Sequence, residues 1–350
     1  MTARPIATAQ ILTGIAAAMA LLYFLSGILI PLVIAFVLVV LVDAVVMFIN
    51  AHWPRAPKWV VSAAAGLVVI VSASAGMFVL AQGAVQVVQQ GPLLVGRIDT
   101  LVQEIGRSAG LKQTINLQSL AGDVSIPQLA GSILSAVQGI AGAVLLIVIY
   151  FGFMVAGRRR ISRKIDAIAG TSGRRSAIKA IIERITVDIR IYLWVQAVTG
   201  VMLAAAAAAV MLAVGLDNVL FWTVIFFLLT FIPNIGVTVG SIAPALFALL
   251  QFNTVWPAIA IFAVIQVAAF IVGNLIYPRM QADTQNIDPV TTIVALSLWT
   301  FLWGLPGAFL AVPMTLMVMM AFAQFDSTRW IAAALSNDGL PDFQKKRAAQ

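Results

Sequence analysis

Two short runs of proline and glycine stand inside hydrophobic stretches of this chain: Phe231-Ile232-Pro233-Asn234-Ile235-Gly236 and Trp303-Gly304-Leu305-Pro306-Gly307, with Pro313 a little beyond the second. Proline removes a backbone donor and glycine lowers the cost of unwinding, so neither run continues an undisturbed helix. In hydrocarbon an unpaired amide or carbonyl costs several kcal/mol unless protein, water or a ligand satisfies it. Broken helices therefore occur where they line a cavity or pack inside a bundle. Paired interruptions of this kind are the sequence-level pointer to a carrier's binding site. A proline kink or a small-residue packing face such as Gly236 to Gly240 explains either run taken alone. A break near the middle of two long segments favours a functional cavity.

Asp43 is the one carboxylate clearly inside an apolar stretch, which makes it a candidate for ion coupling. Its shallow depth equally allows snorkelling, or pairing with Arg55 or Lys58. No second Asp, Glu, His or Lys lies within a span to form a relay. Neutral groups remain: Gln196, Thr230, Asn234, Thr238, Ser241 and Gln266, then Asn274, Thr291, Thr292, Ser297 and Thr300. Beside unwound backbone they suit a small polar solute bearing hydroxyls, or a monovalent cation such as Na⁺, whereas singly each is more often an interhelical hydrogen bond. Asn234, beside a break, and Asn274, at a span end ahead of Pro278, stand above the rest. His52 is the only histidine and cysteine is absent, so no metal site is expected. With no phosphate-binding loop, Ser/His/Asp set or dinucleotide fingerprint, neither an enzyme, an ATP-driven pump nor a bound cofactor is expected.

The elements that carry these residues follow from composition. Of 350 residues 62% are hydrophobic and 10% charged, against about half and a quarter in a soluble domain, and the mean hydropathy is +1.04. The apolar residues fall in blocks long enough to cross a bilayer. The reading is an all-α polytopic membrane protein of about eight transmembrane segments, two of them broken or re-entrant, with an outward helical insert and basic cytoplasmic helices. Residues 1–82 hold three spans, 83–131 the extracytoplasmic insert, 132–157 a fourth span and 158–190 the basic amphipathic helices. Residues 191–325 form a transport core with a fifth span at 191–216, broken segments at 219–250 and 289–325, and a span between them. The tail is 326–350. The first block is long for a signal peptide and runs straight into another span, so it reads as retained.

Residues 158–190 contain ten Lys or Arg against three acids, and the 50–58 loop two positive charges and no acid, whereas 83–131 is balanced. Positive loops stay inside, so both termini are expected in the cytoplasm and the insert outside. Much of the net charge of +8 is thus a topology signal, not a nucleic-acid footprint. Arg158, Arg159, Arg160, Arg163 and Lys164 either grip anionic lipid headgroups, at about 1 kcal/mol per charge, or serve only to fix topology. Each broken segment can cross once with a kink or fold back as a hairpin. Two single crossings put the 279–288 loop outside; two hairpins put it inside, opposed across the membrane as in carriers that move a substrate domain.

Ile232-Pro233-Asn234-Ile235-Gly236, Pro244, Asn274, Pro278, Pro289, Trp303-Gly304, Gly307 and Leu310-Ala311-Val312-Pro313 together resemble the autoinducer-2 exporter family of bacterial membrane proteins. The likeness extends over nearly the whole chain, including Tyr192 and Gln196 at the start of the fifth span. It implies a multi-pass transporter of the bacterial inner membrane that forms a homo-oligomer, a pentamer on family grounds. Family members are tied to export of a small polar signal or to cation/proton exchange. The expectation is a secondary transporter or facilitator whose pathway is lined by Pro233, Asn234, Gly236, Asn274, Gly304, Pro306, Gly307, Pro313 and Gln196. A Na⁺(Li⁺)/H⁺ antiporter coupled through Asp43 is the alternative, and a non-transporting assembly protein the second alternative.

Overall fold

The computed structural model of the chain describes residues 3–55, 57–90, 96–97, 100, 142–157, 166–167, 172–233, 235–281, 287–323, 326–337 and 339. Among the described residues there is helix and turn but no strand, as bilayer solvent demands of a chain that is not a closed barrel. The helices are α1 (Ala3–Phe24), α2 (Ser26–His52), α3 (Lys58–Gln89), α4 (Gly142–Gly157), α5 (Ser172–Val214), α6 (Val219–Thr230), α7 (Gly236–Gln251) and α8 (Trp256–Ile271). A π turn, Val272–Ile276, joins α8 to α9 (Tyr277–Gln281), and α10 (Pro289–Ala323) and α11 (Arg329–Leu335) follow.

The chain divides into two compact units, one of Met1–Val69, Ala143–Ala197 and Arg279–Gln350, the other of Ile70–Gly142 and Val198–Pro278. In the first, Val42 on α2 packs with Ala65 and Val69 on α3, and Phe151 of α4 covers them. A fully buried Ala65 lets the two backbones approach closely, which is how helices associate where lipid is as apolar as the side chains. Phe48 of α2 stacks on Trp194 of α5, ring centres 5.1 Å apart. In the second unit Leu203, Ala207 and Met211 recur every fourth residue on α5 and meet Phe226, Phe247, Ala248, Ile261 and Ile265.

Two sequence boundaries fall inside helices. α3 runs on to Gln89, past the expected span end at Gln82, and α5 is one helix of 43 residues that crosses the boundary drawn at 190/191. α5 continues because no Pro or Gly stands at residues 190/191, and in α3 the lone Gly83 at the expected boundary does not stop the helix. Apart from residues 90, 96–97 and 100, the rest of the outward insert lies outside the described residues, as do Arg158, Arg159, Arg160, Arg163 and Lys164. Asp166 is described: its carboxylate sits 2.7 Å from Lys179 Nζ and 3.5 Å from Arg175 Nε. The hydrogen bond from Lys179 holds Asp166 below the usual carboxylate range.

Candidate functional site: two helical hairpins

The segment 219–250 does not cross the membrane as one helix. α6 ends at Thr230 and α7 begins at Gly236, and at 12 and 16 residues they measure about 18 and 24 Å, short of a hydrocarbon core of about 30 Å. They lie side by side and antiparallel. Trp222 near the start of α6 meets Phe247 near the end of α7 at 5.2 Å. The Gln251 side chain closes the open end, accepting from the Asp217 N–H at 2.8 Å and donating to the Gly215 carbonyl at 3.0 Å. At the tip the Gly236 N–H donates to the Ile232 carbonyl at 3.0 Å, and Ile235 N–H to that of Pro233 at 2.7 Å. Glycine is required at two places on the returning limb. A Cβ on Gly236 would overlap the Leu229 carbonyl oxygen, and one on Gly240 would come within 2.6 Å of the Phe226 ring.

The segment 289–323 reverses too, on a single residue. Gly304 has φ +64° and ψ −143°, a conformation open in practice only to glycine. Trp299 Nε1–H donates to Thr315 Oγ1 at 3.2 Å; 16 residues of straight helix would hold these groups about 24 Å apart. Length and apolarity alone qualify Pro289–Ala323 as a crossing, but this hydrogen bond excludes a straight one. The closure repeats that of the first hairpin, since a Cβ on Gly307 would overlap the Trp299 carbonyl oxygen. Pro306 occupies the first turn of the returning limb, where a proline costs no hydrogen bond. Pro313 is buried within that limb and does not interrupt it. At the open end Asp288 Oδ2 accepts from the N–H groups of Val290 and Thr291, at 2.8 and 3.1 Å, and so caps the outgoing limb.

Of the residues expected to line a pathway, Pro233 and Gly236 lie in the first tip, Gly304, Pro306 and Gly307 in the second, and Asn234 lies outside the described residues. Ile235 and Leu305, both in the tips, are 52% and 66% exposed. Asn274 sits in the π turn, a feature that recurs at functional sites, yet its side-chain amide donates to the Phe270 carbonyl of its own helix at 2.8 Å. Gln196 is half-buried on α5. Several neutral candidates use their donors in the same local way: Thr230 to Phe227, Ser241 to Thr238, Thr292 to Asp288 and Ser297 to Ile293. Ser241 also reaches across helices, its Oγ 3.3 Å from Gln266 Oε1 of α8.

Asp43 is half-buried on α2. One turn further on the same face, Met47 receives Arg190 of α5, Nη1 lying 2.7 Å from the thioether sulfur. Among the described residues the buried Nε of Arg190 has no acceptor. In the sequence Arg55 and Lys58 are the cations nearest Asp43, and Arg190 stands out only as the last charge of the basic segment. The signal that it enters the bundle was the unbroken helical periodicity running from Ile178 through Ile189 into the span.

Comparison with known proteins places this architecture. Residues 12–326 match the AI-2E family transporter. The Escherichia coli protein YhhT is 27% identical over 189 residues, 53% of this chain and 52% of YhhT. The AI-2 transport protein TqsA of E. coli is 27% identical over 158 residues, 45% of this chain and 46% of TqsA. YueF of Bacillus subtilis is 26% identical over 317 residues, 85% of this chain and 84% of YueF. The aligned region thus spans about half the length of YhhT and TqsA and most of YueF. A family of membrane transporters accords with the apolar helices described above. Matched over most of its length, the chain belongs to the AI-2E transporter family.

Proposed function

We propose that this protein is a secondary transporter or facilitator that exports a small polar solute, a signal of the autoinducer-2 kind, with the tips of its two hairpins meeting the solute. The observation that carries the reading is the reversal of two apolar segments at Pro233 to Gly236 and at Gly304. Irregular backbone at membrane depth is tolerated where it borders protein or a watery path, and discontinuous helices of this kind hold substrates in carriers. By chain count one crossing, Trp256–Met280, separates the hairpins. Both termini lie on the cytoplasmic side, as the positive loops favour. The name of TqsA supports the choice of solute. On the same family grounds the protein assembles as a homo-oligomer, a pentamer; the positive charge of its basic 158–164 stretch suits contact with anionic lipid headgroups.

Purified protein in liposomes loaded with a labelled autoinducer-2-type solute tests this directly. Saturable efflux, lost when Gly236 is replaced by valine in protein that still inserts, is the expected result. The same solute trapped equally in protein-free and protein-containing vesicles refutes it.

The position of Asp43, the one carboxylate clearly inside an apolar stretch, favours a second reading, Na⁺(Li⁺)/H⁺ exchange through Asp43. It predicts cation-driven pH changes in vesicles that vanish in Asp43→Asn; a variant with undiminished flux excludes the residue. If neither flux is found and hairpin substitutions leave the cellular phenotype intact, a non-transporting assembly role takes its place.

A further inference from the structure

Between the limbs of the second hairpin and α11 lies a cavity of about 220 Å³. One wall is a stripe of Val290, Val294 and Leu298, every fourth residue of the outgoing limb; Val318 of the returning limb faces it. Leu335 closes one end, where its carbonyl accepts from the Asp288 N–H at 3.3 Å. Trp299 and Thr315 lie at the deeper end, and their polar atoms are already used. The indole N–H donates to Thr315 Oγ1, whose own proton goes to the Ala311 carbonyl at 2.7 Å. Among the described residues, the remaining polar side chain in the lining is Thr291, in the first turn.

A polar solute would exchange its hydration for one hydroxyl, which does not offset the loss. Water fares no better, since a buried molecule needs two to four polar partners, and an apolar cavity of about 150 Å³ stays dry and takes up hydrocarbon. The cavity is open along one side. Val290 and Val294 are 66% and 60% exposed, and on a segment embedded in a membrane that apolar stripe looks onto the bilayer. The hydrocarbon within reach is lipid.

We infer that this cavity binds one acyl chain of a bilayer phospholipid, entering sideways between the limbs and lying from Thr291 to Trp299, a length of about 12 Å. The chain supplies the contacts that the Val294 and Val318 walls lack, and so sets the separation of the two limbs. The site is distinct from the hairpin tips and takes a ligand of opposite character to the exported solute.

Trp299 and Trp303 are buried to the same degree, each 5% exposed, but Trp299 lines the cavity while Trp303 donates to the Leu22 carbonyl of α1 at 2.9 Å. The full chain is reconstituted in vesicles of a dioleoyl phospholipid and of the same lipid brominated on its acyl chains. The emission of each indole is the difference between wild type and Trp299→Phe or Trp303→Phe. The expected result is that brominated lipid at least halves the Trp299 contribution while quenching that of Trp303 distinctly less. Ala295→Leu, which fills the cavity, should restore Trp299 emission. A Trp299 contribution equal in both vesicles overturns the proposal, as an empty cavity or one covered by a second copy would give. If Trp299→Phe fails to fold, Ala295→Leu decides alone: total quenching smaller than in wild type supports the site, and unchanged quenching overturns it.

Discussion

Replacing Gly307 by alanine separates a hairpin from a kinked crossing by size of effect. The added methyl would overlap the Trp299 carbonyl oxygen, and because the obstacle is backbone no rotamer change can relieve it. The limbs must part. Overpacking of this kind costs about 1–3 kcal/mol. Parting the limbs also stretches the Trp299–Thr315 hydrogen bond, worth about 1 kcal/mol. The expected loss is therefore about 2–4 kcal/mol. In a single kinked helix residues 299 and 307 would stand about 12 Å apart, and the methyl would meet neither. Gly66 on α3 supplies the control, since a Cβ there meets nothing within 4 Å. Gly66→Ala should be neutral or raise stability by up to about 1 kcal/mol through lower chain entropy. The assay is thermal denaturation of the detergent-solubilised protein followed by monodispersity on size exclusion. A Gly307→Ala midpoint equal to that of wild type, alongside a neutral Gly66→Ala, refutes the doubled-back arrangement.

Other consequences follow from individual contacts. Gly304→Ala should cost about 1–3 kcal/mol, because alanine is strained at φ +64°; an unchanged midpoint would show that the reversal lies elsewhere. A double-mutant cycle of Trp299→Phe and Thr315→Val should give a coupling of about 0.5–1.5 kcal/mol, and additivity would deny their hydrogen bond. Removing the cap with Asp288→Ala should lower stability by about 1 kcal/mol, checked by the same melting assay. Asp166 has a folded-state pKa below its unfolded one, so its contribution is present above the unfolded value and is lost as pH falls through the lowered folded one, below about pH 4. In ¹³C-carboxyl titrations Lys179→Ala should move Asp166 up toward the ordinary range; an unmoved resonance would remove Lys179 as the cause.

The breaks were legible in the sequence because Pro and Gly in hydrocarbon have few harmless uses. Whether they kink or reverse a helix was not, since the deciding contacts, Gln251 with Gly215 and Trp299 with Thr315, join residues whose spacing has no local signature. Gly307 looked like part of the break but acts as the surface on which the second limb closes. Pro313 looked disruptive and is absorbed within a helix, as prolines in membrane helices often are. The polar side chains misled in the other direction: most of those suited to a solute are bonded to the preceding turn of their own helix, which composition cannot reveal. Arg190 was hidden by its neighbours, one positive charge among many until the fold set it against Met47.

Under the proposed function both hairpin tips face an aqueous path used by the solute. The chain has no cysteine, so Ile235→Cys and Leu305→Cys each introduce a single thiol at an exposed tip position. In sealed, oriented proteoliposomes the rate of modification by a membrane-impermeant thiol reagent is measured with and without the transported solute. Both thiols are expected to react, and solute to slow both reactions. Two thiols that stay unreactive from either side, or that react at rates indifferent to the solute, would contradict the proposed function.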